Sequence, residues 1–157
     1  MGTRGNERGP RRGRGVHGFT LIELLTVMVV LSILAGIALP RLRGAILKAQ
    51  AADLLGDLNV IRVAVLTYQS DKNAWPTEVG PGQVPSGLEA YLPGGFTFRK
   101  DDYVLDYDNW SGTGGSLYNI GVTFTAQNQE LGLAVMELVG SNIWSGGQTT
   151  FTWIIDG

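Results

Sequence analysis

The chain has no cysteine and a single histidine, His17. The absence of Cys excludes a disulfide framework, a zinc–thiolate centre and a thiol nucleophile. It does not settle the redox compartment, but an exported form would have to fold on its core alone. His17 stands in the basic head of the chain, so everything beyond it lacks the commonest general base and the commonest metal ligand. No converging nucleophile–base set can be named in the remainder, and the chain is read as not an enzyme. Positive charge is also scarce beyond the head. Residues 1–18 carry Arg4, Arg8, Arg11, Arg12 and Arg14 against Glu7, a net of +4, whereas the 157-residue chain sums to −2. The body is therefore acidic, which argues against nucleic acid as its partner, because phosphate contacts need clustered Lys and Arg. A basic head has a membrane reading instead, since Arg-rich flanks stay on the cytoplasmic side.

A long hydrophobic run comes directly after the head. Residues 1–18 are rich in Gly and Arg and can bury nothing, so they are expected to be disordered. Residues 19–39 are apolar on every face except for Glu23 and a few hydroxyls. At about 1.5 Å per residue they make a helix roughly as long as a bilayer core is thick. The run stops at Pro40-Arg41-Leu42-Arg43, and the helical pattern then resumes in amphipathic form. Leu54, Leu58, Ile61, Val65 and Tyr68 recur at spacings of four and three, with Asp53, Asp57 and Arg62 off that stripe. The spacing predicts a helix to about Ser70, stopped by Asn73 and Pro76. Pro40 is expected to kink the joined helix rather than end it. Residues 73–95 hold four prolines and five glycines and read as a structured loop with a short turn of helix at Ser86–Tyr91. Strand signals come next, at Phe96–Phe98, Tyr103–Tyr107, Tyr118–Phe124 and Thr150–Ile155. A short helix is expected at Gln129–Val139, with Asn128 as N-cap and Gly140 as its stop.

Gly18-Phe19-Thr20-Leu21-Ile22-Glu23, leading into the apolar helix and Pro40, resembles the N-terminus of the type IV pilin and type II secretion pseudopilin families. The resemblance covers residues 14–48 well and the rest only in general layout. It implies that a prepilin peptidase cuts after Gly18 and that the new terminal Phe19 is N-methylated. A Sec signal is the competing reading, with cleavage after Ala38, because Gly36 and Ala38 are small. A twin-arginine signal at Arg11-Arg12 fits less well, since Gly-Arg-Gly comes after the pair. The expected fold is α+β and pilin-like: a long N-terminal helix, one half transmembrane and one half amphipathic, packed on a small antiparallel β-sheet. The corresponding segments are a cleaved leader (1–18), a transmembrane or filament-core helix (19–40), its amphipathic continuation (41–72) and a globular domain (73–157).

Glu23 is an ionisable group inside a membrane segment, which costs about 2.5–3.5 kcal/mol even on lenient scales. Residues 19–39 offer it no cation except the amine that cleavage would create at Phe19. By the resemblance, the glutamate of one subunit neutralises the terminal amine of its neighbour in the filament. The alternative is that Glu23 snorkels to the interface. Pro40, with Gly36 and Gly44 around it, reads as a membrane-exit break, or by resemblance as the end of a segment that loses helix on packing. Asp101, Asp102, Asp106 and Asp108 are a candidate calcium set, as major pseudopilins bind calcium in this domain. Their spacing departs from an EF-hand, and Asp106 and Asp108 alternate with Tyr107 as solvent-facing strand residues would. No other cofactor is expected. Trp75-Pro76 resembles the aromatic–Pro pair of major pseudopilins, and a packing role suffices for it. The glycine-rich stretch Ser111–Ser116 lacks a phosphate-loop context and reads as a turn.

These features imply a structural subunit of a type II secretion pseudopilus, or alternatively a type IV or minor pilin used in adhesion, motility or DNA uptake. The implied partners are other pilin-like subunits, a prepilin peptidase, an inner-membrane assembly platform and membrane lipid. The implied location is the inner membrane, with the N-terminus cytoplasmic and the body extracytoplasmic, and then a filament.

Overall fold

The computed structural model describes residues 18–111, 120–140 and 142–156. The expected leader at 1–17, and Tyr118 and Asn119 of the third expected strand, lie outside these. Two compact units are present, one ending at Pro40 and one spanning Arg41–Gly157.

Helix α1 runs over Leu21–Lys72, and Pro40 lies inside it without ending it. Among the described residues of the first unit, the helix has no other element packed on it. Its apolar side chains are exposed from end to end, from Leu21 at 82% to Leu39 at 57%. Thr26 Oγ1 and Ser32 Oγ donate back to the carbonyls of Ile22 and Met28, both at 2.8 Å. Their hydroxyls are thus satisfied within the helix, as an apolar surrounding requires.

In the second unit the remainder of α1 supplies the spine of the core. Ala51, Leu54, Leu58, Ile61, Ala64 and Val65 are almost fully buried, which is the stripe read from the sequence. Asn73 comes next with φ +50° and bonds its N–H to the Gln69 carbonyl, closing the helix two residues beyond the expected end. The sheet comprises β1 (Tyr103–Asn109), β2 (Ile120–Ala126), β3 (Ile143–Ser145) and β4 (Thr150–Asp156), ordered β1-β2-β4-β3 and antiparallel throughout. Period-2 alternation turns Tyr103, Leu105 and Tyr107 of β1 and Val122 and Phe124 of β2 into one core with the α1 stripe. Phe124 stacks on Phe151 of β4 with ring centroids 5.3 Å apart. Helix α2 (Gln129–Val139) adds Leu131 and Val135 to this core. Asn128 caps it, accepting from the Leu131 N–H at 2.9 Å, and Gly140 ends it at φ +82°.

The structure departs from the sequence expectations in its short elements. Phe96–Phe98 is not a strand. The segment lies along the edge of β1, where the Leu105 N–H donates to the Phe98 carbonyl at 2.8 Å, but only Arg99 bridges, opposite Val104. Its apolar signal comes from burial, since Phe98 is in the core and Phe96 packs against it. The short strand β3 carries no readable strand signal, because three residues are too few for alternation to register. The expected turn of helix at Ser86–Tyr91 is a single 3-10 turn, Glu89–Tyr91.

Helix α2 approaches the sheet closely because Gly132 has no side chain. A Cβ there would collide with the Phe151 ring. Gly132→Ala is therefore expected to cost about 1–3 kcal/mol by overpacking. Thermal unfolding of the full chain in detergent checks this, and an unchanged Tm would show that the contact is slack.

Candidate functional site

The head of α1 is built by a local hydrogen-bond exchange. The Glu23 N–H donates to Thr20 Oγ1 at 3.2 Å, and the Thr20 N–H donates to Glu23 Oε2 at 3.4 Å. Thr20 Oγ1 also lies 3.5 Å from Oε2. This is a capping box, Thr-x-x-Glu, in which each side chain satisfies a backbone donor that the first turn leaves orphaned. The spacing of Thr20 and Glu23 is its sequence signal, which the isolated charge of Glu23 overshadows. The box also puts an acid in the first turn, where the helix dipole favours it. It supplies only uncharged donors, however, so among the described residues the carboxylate has no cation beside it.

Phe19 precedes the helix and is 82% exposed. At Gly18 an added Cβ would meet nothing within 4 Å among the described residues. The fold therefore gives no reason for glycine at this position. Gly36 and Gly44, either side of Pro40, are equally open. Over an 18-residue window α1 has a mean hydropathy of 2.5 with none of it buried, long and apolar enough to cross a membrane. An exposed apolar surface of this extent marks an interaction site.

The four aspartates considered for calcium fall in two places. Asp101 and Asp102 sit in the bend before β1, where Asp102 accepts from Gln50 Nε2 at 3.0 Å. Asp106 and Asp108 lie on β1, on the face turned away from the core, and Asp108 accepts from Thr123 Oγ1 at 2.5 Å. Among the described residues no group of three or more Asp, Glu or His could hold a metal ion. The set does not fit a calcium cage, because strand geometry spreads it out and two of its members are already engaged. Nor are Asp106 and Asp108 fully solvent-facing as expected; both are half-buried. Trp110 lies over Gly121 on the same face. Glu78 reaches in from the loop to accept from the Asn109 N–H at 3.2 Å. The Pro76 carbonyl accepts from Asn109 Nδ2 at 2.8 Å, while Trp75 packs on the core, so Trp75-Pro76 anchors the loop to the end of β1.

Burial, then the Asp108 and Glu78 carboxylates, push the Asp106 carboxyl up to about 6. Asp108 is also raised, again chiefly by burial and against the Thr123 hydrogen bond. One Asp106 oxygen is buried without a hydrogen-bond partner. A polar ladder continues across the sheet from Asp108 to Thr123 and on to Thr152, whose hydroxyls are 2.8 Å apart.

A long helix, apolar in its first part and headed by a capped acid, together with a small antiparallel sheet that packs on its later part, defines an α+β, pilin-like protein. Comparison with known proteins agrees. Residues 13–39 match the family described as the prokaryotic N-terminal methylation motif. The chain is 32% identical over 105 residues to type II secretion system core protein G of Pseudomonas aeruginosa, covering 62% of this chain and 70% of that one. It is 37% identical over 100 residues to the core protein G of Klebsiella pneumoniae, covering 58% and 71%. The fimbrial protein EcpC of Eikenella corrodens is 39% identical over 61 residues, covering 39% and 40%. No solved structure matches the chain. The chain belongs to the type IV pilin and type II secretion pseudopilin family.

The raised Asp106 carboxyl has a signed consequence. Its folded value of about 6 exceeds the ordinary unfolded value of about 4. The folded state therefore binds the extra proton between these values, and the stability it brings is full below pH about 4 and lost as pH rises through 6. Asp106→Asn is expected to flatten that part of the pH profile and raise stability at pH 7.5 by about 1 kcal/mol, after discounting for partial solvent screening. Melting temperatures from pH 4 to pH 8 check this, and parallel wild-type and variant profiles would contradict it.

Proposed function

We propose that the chain is a structural subunit of a type II secretion pseudopilus, cleaved after Gly18 by a prepilin peptidase, N-methylated at Phe19 and polymerised through α1. The observation that carries this reading is Glu23. It is a carboxylate at the head of an exposed apolar helix, and among the described residues its hydrogen-bond partners are the uncharged donors of Thr20. Cleavage between Gly18 and Phe19 would create an amine one residue ahead of that capping box. Within one chain the amine and the acid both belong to the same helix head. Between two staggered chains they can meet as a pair, and burial in an apolar surround tolerates the two charges only as a pair. The open Gly18 suits a protease that needs a small, accessible residue, since among the described residues nothing crowds that position. The same helix serves as an inner-membrane anchor before assembly, with the basic head on the cytoplasmic side. The role is structural rather than enzymatic. The partners are other pilin-like subunits, the peptidase and an inner-membrane assembly platform.

A surface type IV pilin is the second reading, favoured by the 39% identity to a fimbrial protein over 61 residues. A gene neighbourhood that holds a secretin and a secretion ATPase would favour the first reading, and one that holds a retraction ATPase the second.

Glu23→Ala is expected to leave membrane insertion unchanged and to abolish assembly. Removing one partner of a buried pair costs about 3–5 kcal/mol, so filament yield should fall by at least about a hundredfold. Electron microscopy of cells co-expressing the peptidase and platform reads this out. Normal filaments in the variant would remove the pairing role.

A further inference from the structure

We propose that Arg41, Arg43 and Lys48 form a basic collar that binds the anionic headgroups of membrane phospholipids where the chain leaves the bilayer, and so holds the unassembled subunit at a fixed depth. The inference rests on the membrane-anchor reading above and names the lipid chemistry that the anchor prefers.

All three side chains belong to the second unit, on the first turns of α1 beyond Pro40, and all are exposed. None forms an ion pair among the described residues. No acid occurs between Glu23 and Asp53, so the stretch carries three positive charges and no negative one. The other bases of the second unit are placed differently. Lys100 pairs with Asp57, Arg62 lies over the Trp153 ring at 5.6 Å, and Arg99 packs against Gly82. Lys72 is exposed as well, but it stands at the far end of α1, next to Asp71 and about 36 Å along the helix from Lys48.

Chain connectivity alone puts the collar at the membrane surface. Arg41 comes two residues after Leu39, the last of the apolar run, and Arg43 comes four after it. At no more than about 3.6 Å per residue they lie within about 7 Å and 14 Å of its end, whatever the geometry at Pro40. Lys48 is two turns beyond Arg41, about 10 Å along the helix, and helical side chains tilt toward the N-terminus, so its long stem reaches back toward Arg41.

The arrangement around the helix decides the kind of partner. Lys48 projects within about 20° of Arg41, whereas Arg43 projects about 160° away from it. A protein partner covers one side of a helix, but a bilayer surrounds it. Leu42 and Ile46, interleaved with the cations, are 56% and 50% exposed, which suits the boundary between headgroups and acyl chains. A guanidinium grips a phosphodiester through two N–H donors, and an anionic surface attracts cations over about one Debye length, roughly 8 Å. Residues 73–157 hold nine acids against two bases, so the same surface repels the body. Attraction at the collar and repulsion beyond it together fix the depth of the subunit. The five arginines of the head outnumber the collar, which keeps the head on the cytoplasmic side.

The test places the full chain in nanodiscs of equal parts phosphatidylglycerol and phosphatidylcholine and reads the lipids that stay bound by native mass spectrometry. Phosphatidylglycerol is expected to exceed phosphatidylcholine several-fold on the wild-type chain, and the ratio to fall at least about twofold in the triple variant Arg41→Gln, Arg43→Gln, Lys48→Gln. The head contributes equally to both chains, so the loss belongs to the collar. Lys72→Gln should keep the wild-type ratio. All three collar positions are exposed, so the melting temperature should not move. Inorganic phosphate should lower the ratio no more than chloride does at the same ionic strength; a stronger effect would assign the cations to a free anion and overturn the lipid. Parity on the wild-type chain, the wild-type ratio in the triple variant, or an equal fall in Lys72→Gln would overturn the collar while leaving the anchor reading in place. Loss of filaments in the triple variant with an unchanged lipid ratio would also overturn it, by assigning these cations to a protein contact. A chain that does not enter the nanodisc at all would overturn both readings.

Discussion

One carboxylate in an apolar helix constrains the rest of the molecule. Glu23 costs several kcal/mol wherever the first turns of α1 are surrounded by hydrocarbon, whether lipid or other helices. The capping box with Thr20 lowers that cost by ordering the helix head, but neutral donors do not cancel a charge. The missing cation has to come from outside the described residues or from a covalent change to the chain. Processing at Gly18 provides it in the proposed mechanism, and the position of that amine sets the proposed stagger between subunits.

The second unit depends on a different economy. A small sheet of four strands, one of them only three residues long, cannot cover its own apolar face. The buried stripe of α1 and the close seat of α2 on Phe151 supply that cover. One helix therefore has two surroundings. Its first part keeps every apolar side chain exposed, while its later part buries one stripe and leaves Arg41, Arg43 and Lys48 outside. The opposite face of the sheet is polar and half-covered, with the raised Asp106 carboxyl tolerated at some cost to stability near neutral pH.

Long, periodic residue patterns make the structure legible in the sequence. The stripe from Leu54 to Tyr68, the cap at Asn128, the stop at Gly140 and the strands around Tyr103–Tyr107 and Thr150–Ile155 are all readable there. Short elements are not. β3 offers only Ile143, Trp144 and Ser145, and Phe96–Phe98 reads as a strand because burial imitates strand propensity. The candidate site is legible in part. Glu23 stands out as a charge, while its exchange with Thr20 emerges only from the geometry of the helix head. The aspartates between 101 and 108 look like one group in sequence, but the pleat and the bend separate them.

The mature N-terminus is the most direct measurement of all this. The chain should be expressed with a prepilin peptidase, purified from membranes and measured by intact mass and terminal sequencing. The expected product begins at Phe19 and carries one methyl group. A chain that begins at Leu39, or one that retains Gly18, would contradict the pairing of Glu23 with a processed terminus, because Glu23 would then be removed or left without the amine it needs.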